Sequence, residues 1–209
     1  MSNVVTYVPY VFDTQSRPRY IYKYFSDITK HALPVIKKSR IHLDNPLDFN
    51  DPFETFAVTS LNNCKVCCFS ENNDILLMWS HYANKHQGVC IEFDLEKLKE
   101  NSFLDSLKAD NINKVIYGDI PKNINNLPAS LFYKTKDWEY EKEYRIVCYS
   151  EDEFLSFDCV SRLILGAKVN MNQKNIKTII LEAKKRNIPI YKFVINDDRK
   201  LQMIVYDEV

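Results

Sequence analysis

Only 3 glycines occur in the 209 residues of this chain, and that scarcity constrains it more than any motif does. A loop that cradles phosphate through its backbone needs several glycines, because glycine alone reaches left-handed conformations freely and lets the backbone close on an anion. Neither GxGxxG nor GxxxxGK[ST] is present. The glycine-rich strand-to-helix turn that opens a doubly wound dinucleotide-binding domain is therefore excluded. What remains is a series of short aromatic and β-branched runs, which favour pleated structure, interleaved with helical stretches. That alternation predicts an α+β chain with a compact mixed or split β-sheet and flanking helices.

The runs fall in a clear order. "VVTYVPYVF" is β-prone but broken by Pro9, so residues 1–19 read as an N-terminal arm or edge strand. "YIYKYF" is a strand, and Ser26 or Asp27 is placed to cap the helix predicted over 27–38, which Pro34 weakens or kinks. "RIHLD", "FETFAV" and "KVCCFS" are short strands, and "DILLMWSHYANKH", residues 74–86, is a helix ended at Gly88. "GVCIEFD" is a strand, "LEKLKENSFLDSLK" an amphipathic helix, "KVIYG" a strand and "NLPASLFYKTKD" a helical stretch. "KEYRIVCYS" and "SRLILG" are strands, "NQKNIKTIILEAKKRNI" a helix, and "PIYKFVI" and "LQMIVYD" a hairpin turned at Asn196–Arg199. No tandem repeat or linker divides this series, so residues 20–209 read as a single domain.

Charge narrows the partners. The formal net charge is zero, and acidic and basic residues balance in both halves, so a broad cationic face for coating nucleic acid is not expected. No 18-residue apolar run and no secretory signal appear, which together with six scattered cysteines points to a cytoplasmic, non-membrane protein with reduced thiols. Oligomeric state is not legible.

Four stretches carry candidate chemistry. In "NPLDFNDPFE", Pro46 and Pro52 stiffen a loop, Asn50 and Asp51 organise turns, and Glu54 faces a cleft. In "YIYKYFS", strand alternation puts Tyr22, Tyr24 and Ser26 on one face, a shelf of rings and a hydroxyl suited to a base and ribose. In "LLMWSHYANKH", His81 and Tyr82 take neighbouring helical directions near a pocket end. In "WEYEKEYRIV", a continuous strand over 138–147 aligns Glu139, Glu141, Glu143 and Arg145 on one face. Glu143 would hold a ribose hydroxyl and stabilise charge at an anomeric carbon. Glu141 would orient or deprotonate an acceptor, and Arg145 would bind an anion. The same carboxylates also suit magnesium: a phosphoesterase or nuclease would bring Asp51, Glu54, Glu141 and Glu143 together on one cation. No structural metal is expected, because Cys64, Cys67 and Cys68 have no second CxxC pair. A noncatalytic binding or regulatory domain is the third class consistent with these residues.

The combination "YKYFS", "RIHLDNPLDFNDPFE", "CCFSENNDILLMWSHYANKHQGVCIEFD", "WEYEKEYRIV" and "RLILG" resembles the DUF2971 family of uncharacterised bacterial and phage-associated proteins, from Tyr20 to the C terminus. At the level of fold, the chain is also similar to ADP-ribosyltransferases. That resemblance implies Tyr24 with Ser26 as an early pair, Ser70 or Tyr82 completing the cleft, and Glu143 as the late glutamate with Glu141 two residues before it. It further implies NAD as the bound nucleotide and a protein or nucleic-acid acceptor, while the resemblance to the phage-associated DUF2971 proteins implies a place in phage defence. The early run lacks the arginine or histidine of that pattern, and the middle serine-threonine-serine run is missing.

Overall fold

The computed structural model describes residues 5–8, 17–52, 63–100, 111–119 and 127–206. Its elements follow in chain order. Strands β1 (Thr6–Tyr7) and β2 (Tyr20–Phe25) precede a π-type turn (Ile28–Ala32) that runs into α1 (Leu33–Lys38). Next come β3 (Arg40–His42), a 3-10 turn (Pro46–Asp48), β4 (Cys64–Ser70), α2 (Leu76–Tyr82), β5 (Val89–Asp94) and α3 (Leu95–Glu100). Strands β6 (Ile112–Lys114) and β7 (Ile116–Tyr117), α4 (Leu127–Ser130), β8 (Tyr133–Lys134) and a 3-10 turn (Lys136–Glu141) lead to β9 (Glu143–Tyr149). The series ends with β10 (Phe154–Ser156), β11 (Val160–Leu165), α5 (Lys174–Lys185), β12 (Ile190–Ile195) and β13 (Leu201–Val205).

Nine of these strands form one sheet among the described residues, in the order β1-β9-β4-β2-β5-β11-β12-β13, with β6 also on β9. Every pairing is antiparallel except β11 with β12, so the sheet is mixed and open. The expected α+β class and flanking helices are present. Strand alternation sorts the side chains into two layers. On one face, Ile21, Phe69, Ile91 and Ile146 pack against Val35 and Ile36 of α1 and Ile176, Ile179 and Ala183 of α5 in a single core. On the other face, α2 lays Met78 and Trp79 over Tyr24, Cys90, Ile164 and Phe193.

The sheet is not continuous in its pairing. β2 lies against β5 along its whole length, and β4 lies against β9 likewise. β2 and β4 meet at a single register pair, Tyr22 opposite Ser70. Beyond it the strands part. The Lys23 ammonium reaches into the gap and donates to the Cys68 carbonyl at 3.1 Å. Farther along β4, Asp44 takes the place of a strand by exchanging both backbone hydrogen bonds with Val66 (2.7 and 2.9 Å).

Several expectations need correction. The helix expected over 74–86 ends at Tyr82, because Asn84, Lys85 and His86 all take positive φ and turn the chain back to the sheet. Gly88 and Gly166 permit that return: a Cβ on either would come within 2.2 Å of a backbone carbonyl oxygen, of Phe25 and of His86 respectively. Of the described residues 127–137, the α-helix covers only Leu127–Ser130; β8 follows, and a 3-10 turn begins at Lys136. The continuous strand expected over 138–147 is broken. A 3-10 turn ends at Glu141, Lys142 is left-handed at φ 47°, and pairing starts at Glu143. The "FETFAV" segment and most of the helix expected over 95–108 lie outside the described residues.

Candidate functional site

A cavity of about 470 Å³ opens where β2 and β4 part. It is within the range of roughly 300–1,000 Å³ typical of small-molecule sites. Tyr22, Tyr24, Cys68 and Ser70 contribute from one face of the sheet, Lys23 and Phe69 from the other, and the loop at Asn45–Asn50 forms a wall.

One side of the cavity is a chain of charged groups, nearly all buried. Arg145 grips Glu143 with two parallel bonds, Nε to Oε1 and Nη2 to Oε2, both 2.8 Å, while Nη1 donates to the Leu131 carbonyl at 2.5 Å. The guanidinium also lies over the Phe49 ring at 5.3 Å. Lys134, from β8, sits between two carboxylates, 2.5 Å from Glu141 Oε2 and 3.4 Å from Glu143 Oε2, with Trp138 under its ammonium at 4.7 Å. The Tyr82 hydroxyl donates to Glu141 Oε1 at 2.5 Å and accepts from Asn50 Nδ2 at 3.1 Å. Backbone contacts fix the frame: the Glu143 amide donates to the Tyr117 hydroxyl at 2.7 Å, and Ser70 Oγ donates to the Glu141 carbonyl at 2.7 Å.

These surroundings push the two carboxyls apart. Burial alone would raise Glu143, but the Arg145 and Lys134 charges overcome it and hold the carboxyl down at about 2. Burial raises Glu141, and the neighbouring Glu143 charge raises it further, with Lys134 only partly offsetting them. Burial and the adjacent Glu141 carboxylate also drive the Tyr82 phenol up, so it stays a donor. A carboxylate kept ionised beside one whose proton affinity is raised is the usual division between electrostatic stabiliser and proton-exchanging group.

Residues 78–146 match the DUF2971 family, described as a protein of unknown function. The matched stretch begins in α2 and ends in β9, so it carries Tyr82, Lys134, Glu141, Glu143 and Arg145, the whole charged side of the cavity. No curated protein and no solved structure matches the chain.

Of the residues expected at a site, Tyr24, Asn50, Ser70, His81, Tyr82, Glu141, Glu143 and Arg145 all line this one cavity. Tyr24 presents its ring edge-on to Trp79 at 5.2 Å, and its hydroxyl donates to the Asn72 carbonyl at 2.8 Å. His81 is exposed at the rim, between Tyr82 and Tyr140. Two expectations do not join them. Ser26 follows the end of β2 and is exposed outside the cavity. Asp51 is buried and does not line the cavity. Glu54 lies outside the described residues. Glu139, expected beside Glu141, is exposed and faces Lys142 at 3.8 Å. The magnesium arrangement thus loses Asp51, and among the described residues no three His, Cys, Asp or Glu side chains are grouped to hold a metal ion.

Lys134 and Lys23 went unnoticed in the sequence, as did the pair His42 and Asp44. Lys134 sits in a stretch that reads as helical, where nothing marks it as a partner of residues seven and nine positions later. His42 and Asp44 do carry a signal, the i, i+2 spacing that puts two side chains on one face of an extended segment. All six cysteines are free thiols. Cys67 faces the main core, where burial pushes its thiol up to about 12, and Cys68 points to the cavity side toward Glu143.

Proposed function

We propose that the cavity takes a nucleotide of the NAD type and transfers its ADP-ribosyl group to an acceptor. The carboxylate pair carries this proposal: Glu141 and Glu143 share the Lys134 ammonium, face a cavity of small-molecule size, and have proton affinities shifted in opposite directions. The bond from ribose to nicotinamide breaks through a cation-like anomeric carbon. A fixed, ionised carboxylate in a water-poor site stabilises such a centre more than it stabilises the ground state. Glu143 is that charge, and Arg145 and Lys134 keep it ionised and immobile. Glu141 and Tyr82 exchange hydrogen bonds with the ribose hydroxyls. The rings of Tyr22, Tyr24 and Phe49 offer flat surfaces for the base and the nicotinamide. The reading also rests on the pattern expected from the sequence, a glutamate two residues before the late glutamate.

Titration of the purified protein with NAD tests binding, and release of nicotinamide in the presence of candidate protein and nucleic-acid acceptors tests the reaction. Glu141→Gln is the informative variant, because it leaves the Arg145–Glu143 pair intact. Loss of one such interaction costs about 10²–10³ in rate. Nicotinamide release by Glu141→Gln at the full rate would sink the assignment.

A further inference from the structure

The same cavity has a second polar wall, reached through the opening between β2 and β4. His42 and Asp44 line it together with Lys23. His42 Nδ1 lies 3.0 Å from Asp44 Oδ1, and the Lys23 ammonium lies 3.5 Å from Asp44 Oδ2. The Asp44 main chain is fixed by bonds in both directions to Val66, which anchors the root of the side chain. The imidazole is held edge-to-face between His31, at 4.7 Å, and Phe154, at 5.3 Å.

We propose that His42, oriented by Asp44, is a base of this cavity that takes the proton from an O–H or N–H nucleophile of the bound acceptor. The tautomer follows from the partners. Burial works against ionisation of Asp44, but Lys23 and His42 hold its carboxyl below the usual carboxylate range, so it is ionised at neutral pH. An ionised carboxylate only accepts hydrogen bonds. Nδ1 therefore carries the proton, and in the neutral ring the lone pair sits on Nε2, the nitrogen left for a ligand. Asp44 is the positioning residue, and Lys23 keeps Asp44 charged. The electrophile rests on the ADP-ribosyl transfer proposed above. The acceptor oxygen or nitrogen bonds to the ribose anomeric carbon, the bond to nicotinamide breaks with its electron pair leaving on nicotinamide, and the acceptor proton passes to Nε2. The dyad itself does not depend on that choice of electrophile.

Two measurements separate the dyad from the nucleotide chemistry. Diethyl pyrocarbonate modifies unprotonated, accessible imidazole, and mass mapping assigns each site. His42 should be carbethoxylated at pH 7, and Asp44→Asn should slow it about tenfold while the exposed His81 reacts unchanged. Unmodified His42, or equal rates in the two proteins, overturns the dyad. For turnover, His42→Ala should lose about 10²–10⁴ in rate, as general-base removal does, and free imidazole should restore part of it. A merely structural histidine gives no such rescue. Full activity in His42→Ala, or loss without rescue, overturns the base. Should Asp44→Asn fail to fold, the imidazole rescue decides alone. Asp44-dependent reactivity of His42 in a wild-type protein that does not release nicotinamide from NAD would retain the dyad and remove the nucleotide chemistry.

Discussion

Arg145 and Glu143 show what a buried charge needs in order to be tolerated. Arg145 has 1% of its surface exposed and Glu143 4%, so each loses nearly all its hydration on folding. Their two parallel bonds, with Lys134 as a third partner, offset that loss. Removing one member leaves the other charged and buried, which costs about 3–5 kcal/mol. Glu143→Gln should therefore lower the unfolding free energy by that amount, read as a lower urea midpoint at an unchanged denaturant slope. Acid should act through the same group. The folded carboxyl sits at about 2 against an ordinary 4.5, so its contribution is full above pH 4.5 and is lost as pH falls toward 2. Melting followed by circular dichroism should show the wild type losing stability across that window more steeply than Glu143→Gln. At this scale much was legible. Spacing by two residues placed Glu143 and Arg145 on one strand face, and they form the ion pair. Glu141 reached the same cavity by a different route, a 3-10 turn followed by left-handed Lys142. Alternation cannot foresee such a break, because it rests on the backbone conformation of one residue. Lys134 was invisible because its partners come from another element.

Trp79 is the anchor that sets Tyr82 against Glu141. It is fully buried, donates its indole N–H to the Asn73 carbonyl at 2.6 Å, and meets Tyr24 and Phe193 edge-on at 5.2 and 5.5 Å. Helix α2 is only seven residues long, too short to persist without such burial. Trp79→Ala should cost about 3–5 kcal/mol, measured by chemical denaturation. It should also raise the apparent Kd of any cavity ligand, since Tyr82 and Asn50 would lose their fixed geometry. The return of the chain behind α2 is equally specific. Gly166→Ala puts a methyl group against the His86 backbone, which cannot move aside as a flexible side-chain tip can. A loss of at least about 1–3 kcal/mol, the usual cost of overpacking, should appear in the denaturation midpoint. The apolar pattern of "LLMWSHY" announced the helix, but Gly88, expected to end it, lies six residues beyond its last residue, Tyr82. The helix nevertheless stops before "ANKH", because Asn84, Lys85 and His86 adopt positive φ, and the His86 carbonyl then accepts from the Lys168 amide just beyond β11. That demand comes from tertiary contacts between Gly88 and Gly166, and propensity has no access to it.

The main core joins what the strand pairing leaves apart. Ile21 and Phe25 of β2, Cys67 and Phe69 of β4, and Ile146 of β9 belong to one apolar cluster with α1 and α5. Unfolding should accordingly be a single transition, with far-ultraviolet circular dichroism and tryptophan fluorescence coinciding; separate midpoints would show that the two parts of the sheet melt independently. Periodicity identified many of the strands, and the face shared by Tyr22 and Tyr24. It could not supply their neighbours: β9, late in the chain, lies between β1 and β4, a placement settled by long-range packing that no local pattern encodes. The gap beside Lys23 gives a bound molecule an unusual mechanical position. A ligand spanning from Glu141 to His42 would act as a keystone, replacing with its own contacts the cross-strand ladder that β2 and β4 do not form beyond Tyr22 and Ser70. Its binding energy would be added to the native state by mass action, and the amides slowed in hydrogen exchange would be those of both strands flanking the cavity rather than of one loop.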